Sequence, residues 1–341
     1  MRIKLKPPTI VILIYLAMLL AGGFYVGLPL FPILSESMVK FAMNGIMVLS
    51  LLPMIHAGVG LNFGMPVGLS AALVGMSLAI QFKLQGGVGF LSSLVFAIAI
   101  AVVFGAAYGK LLNRLKGREE IAGVFTGFAF IPLMNIFWTV APFTNRQMLY
   151  PVGGVGLRPK ISLDGYFRFI LDETLVIQLG KISIPLGLLL FYALVVAVIA
   201  LIFKTQNGKA MAALRLNSGF ARLSGVDENR VRLLAVILST AIAAVGMCVY
   251  SQSFGFVQLY DGASMLTFPA LSALLIGGGG SRQATITNAV AGAYLYQFVY
   301  LLSVPVANAI LIPELAELLR MIITNGVILF AMLMERRWQH A

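Results

Sequence analysis

The chain has little of what enzymatic or metal chemistry draws on. It holds a single cysteine, Cys248, and two histidines, His56 and His340. One cysteine in an apolar stretch forms no intrachain disulfide and no thiolate metal motif. Two histidines so far apart give neither metal-ligand spacing nor a serine–histidine arrangement. Only 11% of the residues are charged, against 60% hydrophobic, and mean hydropathy is +0.96. That balance excludes a soluble globular protein. No Walker sequence occurs, so the chain does not hydrolyse ATP itself. Gly277-Gly278-Gly279-Gly280-Ser281-Arg282 lacks the Gly-Lys-Ser/Thr ending that would hold phosphate and Mg²⁺, and it reads as a tight cytoplasmic turn. Ionisable groups deep in an apolar span mark ion and proton pathways, and here they are almost missing. Asp261, expected near an outer end, is the nearest candidate.

What fills the chain instead is apolar stretches of membrane-spanning length. A span needs roughly 20 apolar residues to cross ~30 Å of hydrocarbon. About ten such stretches begin near residues 8, 38, 65, 88, 121, 184, 233, 263, 285 and 316. The expected fold is an all-α polytopic membrane protein, a single transmembrane domain over residues 1–341. Two regions, 50–85 and 250–285, suggest a broken or re-entrant helix. The N-terminus, with Arg2, Lys4 and Lys6 before an apolar run, mimics a signal peptide. The run continues to about Phe31 and further spans follow, so an uncleaved first span is expected.

Basic residues orient the chain. With Met1 in the cytoplasm, the inner segments are 1–7, 110–120, 204–232, 280–284 and 335–341, and they hold sixteen of the 24 Lys and Arg. The positive-inside rule then places both termini in the cytoplasm. Topology and anionic headgroups account for the net charge of +12, so no nucleic-acid partner is needed. Two loops stand out. The outer one, 142–183, is rich in Pro and Gly with mixed charge, and reads as an ordered extracytoplasmic cap holding a short amphipathic element. The inner one, 204–232, carries six Lys and Arg.

Two stretches carry functional signal. His56 to Gly68 places four glycines, Pro66 and Asn62 at membrane depth. Irregular backbone survives there only where protein or an aqueous cavity satisfies its polar groups, and broken helices in transporters put such groups on the substrate path. Close helix packing is the alternative. His56 reads as a packed or interfacial histidine. In the inner loop, Ala213, Leu216, Phe220 and Leu223 recur at helical spacing, with Lys209, Arg215 and Arg222 largely off that stripe. Gly208, Gly219 and Gly225 allow turns or close backbone approach. Such a segment either lies on anionic lipid or enters a groove of a partner protein.

The same loop resembles the coupling-loop signature of ABC-importer permeases of the ribose/simple-sugar and nucleoside type, roughly G-x-x-x-x-A-x-G-x-N-x-x-A-A-x-x-x-G-I. The chain follows it at Gly208, Ala213, Asn217, Ala221 and Gly225, with Leu216 and Phe220 where small residues are common. Gly58 to Gly64 resembles the ribose-type GGIDLSVG segment, keeping Gly58, Leu61 and Gly64 and replacing its Asp with Gly60. Leu61-Asn62-Phe63-Gly64 is equally similar to the N-I-G-V-E-G stretch of the nucleoside branch, with Pro66 where that branch has Glu. Glu120-Ile121 followed by Thr126 resembles the start of that branch's fifth helix.

The resemblance implies a non-catalytic permease subunit moving a small polar solute inward. It implies a second permease subunit, identical or homologous, an extracytoplasmic binding protein, and an ABC ATPase that holds the ATP and Mg²⁺, with no cofactor on this chain. Gly208, Ala213, Leu216, Asn217, Phe220, Ala221, Arg222 and Gly225 would form the ATPase-coupling surface. Gly60, Leu61, Asn62, Phe63, Gly64 and Thr126 would line the substrate path. An autonomous secondary carrier or channel is the competing reading, and it requires intramembrane ionisable groups or a selectivity ring.

Overall fold

A computed structural model describes residues 7–149 and 156–310. The N-terminal basic cluster, the tip of the outer loop at 150–155, the expected stretch from about 316 and the C-terminal arginines lie outside the described residues. Along the chain come α1 (Pro7–Val26), α2 (Leu30–Ser50), α3 (Leu52–His56), α4 (Met65–Gln81), α5 (Gly86–Arg114) and α6 (Glu119–Val140). Next are β1 (Lys160–Ser162), α7 (Ile170–Glu173), β2 (Val176–Leu179), β3 (Ile182–Pro185), α8 (Leu186–Lys204), α9 (Gln206–Leu216) and α10 (Ser218–Leu223). Then follow α11 (Glu228–Phe254), β4 (Phe256–Gln258), α12 (Gly262–Met265), α13 (Thr267–Ile276) and α14 (Ile286–Ile310).

Among the described residues the architecture is mostly helical, in line with the all-α expectation, with four short strands. Of the helical stretches among the described residues, five are long and apolar enough to cross a membrane: Leu30–His56, Gly86–Arg114, Glu119–Val140, Leu186–Lys204 and Glu228–Phe254. Shorter apolar helices cover Ile12–Val26, Met65–Gln81 and Gly262–Ile276. The regions expected to contain breaks do contain them. Residues 57–64 separate α3 from α4, and α12 with α13 forms a short interrupted helical segment after β4.

α4 is the centre of the bundle. It is apolar on every side, and nearly all its residues are buried, between α5, α11 and α6. Hydrophobic burial does not drive helices together in lipid, so close packing must. Small residues supply it. Ala97, Ala101, Gly105 and Gly109 recur every fourth residue on α5 and are all buried. A Cβ at Gly75 would come within 2.5 Å of the Ala97 backbone nitrogen, and one at Gly68 within 2.6 Å of the Thr240 carbonyl oxygen on α11.

The segment after α6 is stitched to the same helices. β1 pairs antiparallel with β4, Ile161 facing Val257, and β2 pairs with β3 as a hairpin. The fully buried Gln252, near the end of α11, donates to Asp172 on α7 (2.7 Å) and accepts from the Leu171 backbone (3.2 Å). Burial pushes the Asp172 carboxyl above the usual carboxylate range, against hydrogen bonds from Ser253 and Gln252 that hold it down. Asn145 donates to the Ile80 carbonyl (2.7 Å) at the end of α4. Where a short amphipathic element is expected, this loop holds the one-turn α7, with no buried residue, and a hairpin whose β2 is exposed along its length.

Candidate transport path and coupling site

The break after α3 is built by backbone that a side chain would obstruct. Gly60 has φ of +101°, a left-handed conformation open to glycine. Its vacant Cβ position lies 3.2 Å from a Glu120 carboxylate oxygen on α6. Gly64 caps α4, and a Cβ there would overlap the Tyr108 ring of α5. The break rests on a glycine face of α6: a Cβ at Gly127 would come within 2.9 Å of the Phe63 carbonyl oxygen, and one at Gly123 within 2.9 Å of the Tyr108 hydroxyl.

Asn62 is fully buried and points into the bundle. Its amide donates to Ser239 Oγ on α11 (2.8 Å), and its carbonyl oxygen accepts from the Tyr108 hydroxyl (3.3 Å). Ser239 in turn donates to the Ser50 carbonyl at the end of α2 (2.6 Å). One side chain therefore ties the break to α2, α5 and α11. Leu61 is buried, Phe63 half-buried, and Phe63 lines a small cleft with Pro66, Phe128 and Phe268. Thr126 is half-buried and donates to the Ala122 carbonyl of its own helix (2.6 Å). Asn62→Leu would leave the Tyr108 hydroxyl without that acceptor, at a cost of about 1–3 kcal/mol for a buried polar group. The expected result is a lower melting temperature and impaired uptake, with the ATPase still bound. An unchanged melting curve and unchanged uptake kinetics would reduce Asn62 to a packing residue.

The inner loop is two helices, which corrects the single amphipathic stripe. Asn217 ends α9 and caps α10, its side chain accepting from the Phe220 backbone N–H (2.9 Å). Thr205 caps α9 and Asp227 caps α11 in the same way. The four apolar residues divide accordingly. Ala213 is half-buried and packs inward with buried Met211, Leu214 and Ala221, whereas Leu216, Phe220 and Leu223 are 78%, 67% and 91% exposed. Gly208 allows close approach, since a Cβ would stand 2.5 Å from the Phe203 Cα on α8. Gly225 has φ of +84° with open space around it, so the turn conformation, not close approach, requires glycine there. Arg222 is exposed and lies 3.6 Å from Glu228.

The two expected sites meet. A Cβ at Gly58 would stand 3.1 Å from the Arg215 Cα, so the last turn of α9 rests on the break. His56 stacks on Phe203 (ring centroids 4.2 Å apart) beside this junction. A cavity of about 650 Å³ opens here, lined among others by Gly58, Gly60, Arg118, Glu120, Arg215 and Arg282. The sequence reading did not single out Tyr108, Ser239 or the Arg232–Glu119 pair. The spacing of Gly123 and Gly127 signals a packing face, but nothing local joins Asn62 to a serine 177 positions away.

Apolar helices of spanning length, central packing by small residues and a helix broken among them define a multi-pass membrane protein. A family model described as the permease component of branched-chain amino acid transport systems matches residues 33–333, and the chain belongs to that family. It is similar to the fructose import permease protein FruG of Bifidobacterium longum, 24% identical over 284 residues (81% of this chain, 76% of FruG). It is similar also to the autoinducer 2 import system permease protein LsrC of an Enterobacter strain, 26% identical over 262 residues (74% of this chain, 67% of LsrC). LsrC of Yersinia enterocolitica is 25% identical over 251 residues, covering 71% of this chain and 59% of that protein. The chain is thus a permease subunit of an import system of the ABC type, residing in the cell membrane.

Proposed function

We propose that this subunit passes a small uncharged solute of the simple-sugar class from an extracytoplasmic binding protein to the cytoplasm. The named relatives import fructose and autoinducer 2. On the bundle side of the break, Asn62, Ser239, Tyr108 and Thr126 are neutral hydrogen-bonding groups, which suit a polyol better than a charged amino acid, while the charged Glu120 and Arg215 face the adjoining cavity. ATP and Mg²⁺ belong to a separate ATPase, and this chain is non-catalytic and holds no cofactor. The path forms against a second permease subunit, within a ten-span arrangement whose termini are both cytoplasmic. One observation carries the reading: α9 and α10 expose Leu216, Phe220 and Leu223 to a partner while α9 touches the break through Gly58.

The direct test is reconstitution with the cognate ATPase and binding protein in proteoliposomes. Uptake of labelled fructose-class sugar should require ATP and the binding protein together. Uptake down a gradient without ATP would instead identify a secondary carrier, and nucleoside uptake in place of sugar would reassign the substrate class. Orientation has its own test. Ser218 and Asp164 are both exposed. In a Cys248→Ala background, cysteines at these two positions should label from opposite sides of the membrane. Labelling of both from outside intact cells contradicts the orientation.

A further inference from the structure

The inner ends of α5, α6, α10 and α11 are joined by ion pairs, among whose residues only Arg222 also belongs to the docking surface. Arg232, the fifth residue of α11, is 7% exposed. Its guanidinium donates to the Glu119 carboxylate in the first turn of α6 and to Asn113 Oδ1 on α5 (3.2 Å). Asn113 in turn donates to the Asn229 carbonyl (2.8 Å), closing the ring back on α11. Outside this buried set, Glu228 pairs with Lys116 (2.9 Å) and lies 3.6 Å from Arg222 on α10. The residue after Glu119 is Glu120, whose carboxylate stands against Gly60 in the break. Adjacent helical residues point roughly 100° apart. The first turn of α6 therefore grips α11 with one carboxylate and faces the break with the next.

We propose that the Arg232–Glu119 pair is the positioning contact that carries movement of the coupling helix α10 to the break at Gly60. This rests on the reading of α9 and α10 as the ATPase-coupling surface. α10 is tied to α11 through the three-residue turn after Ser224, where Val226 donates to the Ala221 carbonyl (3.0 Å), and through the Arg222–Glu228 contact. Exposed pairs of that kind are weak and yielding. A buried pair behaves differently, because separating its charges strands both away from water. When α11 tilts, α6 must follow, and Glu120 moves against or away from Gly60. The wall of the adjoining cavity, which both Gly60 and Glu120 line, opens or closes with it.

The test uses the assembled permease–ATPase complex in nanodiscs for hydrolysis and in proteoliposomes for uptake. Four variants are compared: Glu119→Gln, Arg232→Gln, the exchange Glu119→Arg with Arg232→Glu, and the double replacement Glu119→Met with Arg232→Met. The single variants should keep the ATPase bound and hydrolysing while solute moved per ATP falls roughly tenfold, the scale seen for residues within a coupling network. The exchange should restore coupling to within about threefold. The double methionine variant removes both charges without stranding either, so it should fold and stay uncoupled. Three outcomes overturn the proposal: full solute movement per ATP in the singles or in the double methionine variant, failure of a well-assembled exchange variant to recover, or loss of bound ATPase in step with uptake. Phe220→Asp is run alongside. If it leaves binding and uptake intact, the coupling-surface reading itself fails, whatever the pair does.

Discussion

Phe220→Asp should abolish ATP-driven uptake and weaken co-purification of the ATPase, while the permease still inserts and melts as before. The side chain is 67% exposed and sits between Leu216 and Leu223, which are 78% and 91% exposed. Its removal therefore costs the permease little by itself. On the proposed docking, what is lost is burial against the ATPase, about 1.5–3 kcal/mol for an aromatic of this size. A carboxylate adds the penalty of an unpaired charge in that interface. The short α10 keeps its frame, because Asn217 still caps it through the Phe220 backbone N–H and Ala221 still anchors it. Arg222→Ala should do less, since the arginine is an exposed rim charge near Glu228. The measurement is pull-down of the ATPase together with uptake in proteoliposomes. Full binding and full uptake would mean that α9 and α10 lie on lipid.

The second large effect is on folding. Gly277→Val should sharply reduce the folded permease recovered in detergent, because α13 and α14 cross with backbone in contact at this point. A Cβ on Gly277 would overlap the Asn288 carbonyl oxygen, and one on Gly292 would overlap the Ala273 carbonyl oxygen. The Asn288 amide also donates to the Gly277 carbonyl (2.7 Å). Overpacking a core costs about 1–3 kcal/mol and more where backbone cannot give way. Gly87→Ala is the matched control, with nothing within 4 Å of its Cβ position and no positive φ. Size-exclusion profiles and melting curves should separate the two variants. Equal recovery of Gly277→Val and Gly87→Ala would show that the crossing can loosen without loss.

The break and the inner loop were legible because their signals are local. Four glycines and a proline within thirteen residues cannot continue a helix at low cost, and the structure interrupts the chain between His56 and Met65. The stripe in the inner loop was legible as apolar but not as two helices. Asn217 reads as one residue of a motif until its side chain is seen capping α10. Asn62 shows the same limit from the other side. A lone asparagine in an apolar stretch has two destinations, an aqueous path or a buried network, and its sequence position is compatible with either. The amide is held by Ser239 and Tyr108, which come from other helices.

The sequence by itself determined that this is a polytopic membrane protein, where its basic loops fall, and where helices must break. Those properties follow from transfer of side chains out of water and from the φ freedom of single residues, so a local window contains them. Only the tertiary structure decided that α4 is the central helix, that α9 touches the break through Gly58, and that Arg232 meets Glu119 113 positions away. In lipid, apolar helices gain little from hydrophobic burial against one another. Their arrangement is set by which small residues permit close approach and which polar groups find partners, and both depend on helices distant in the chain.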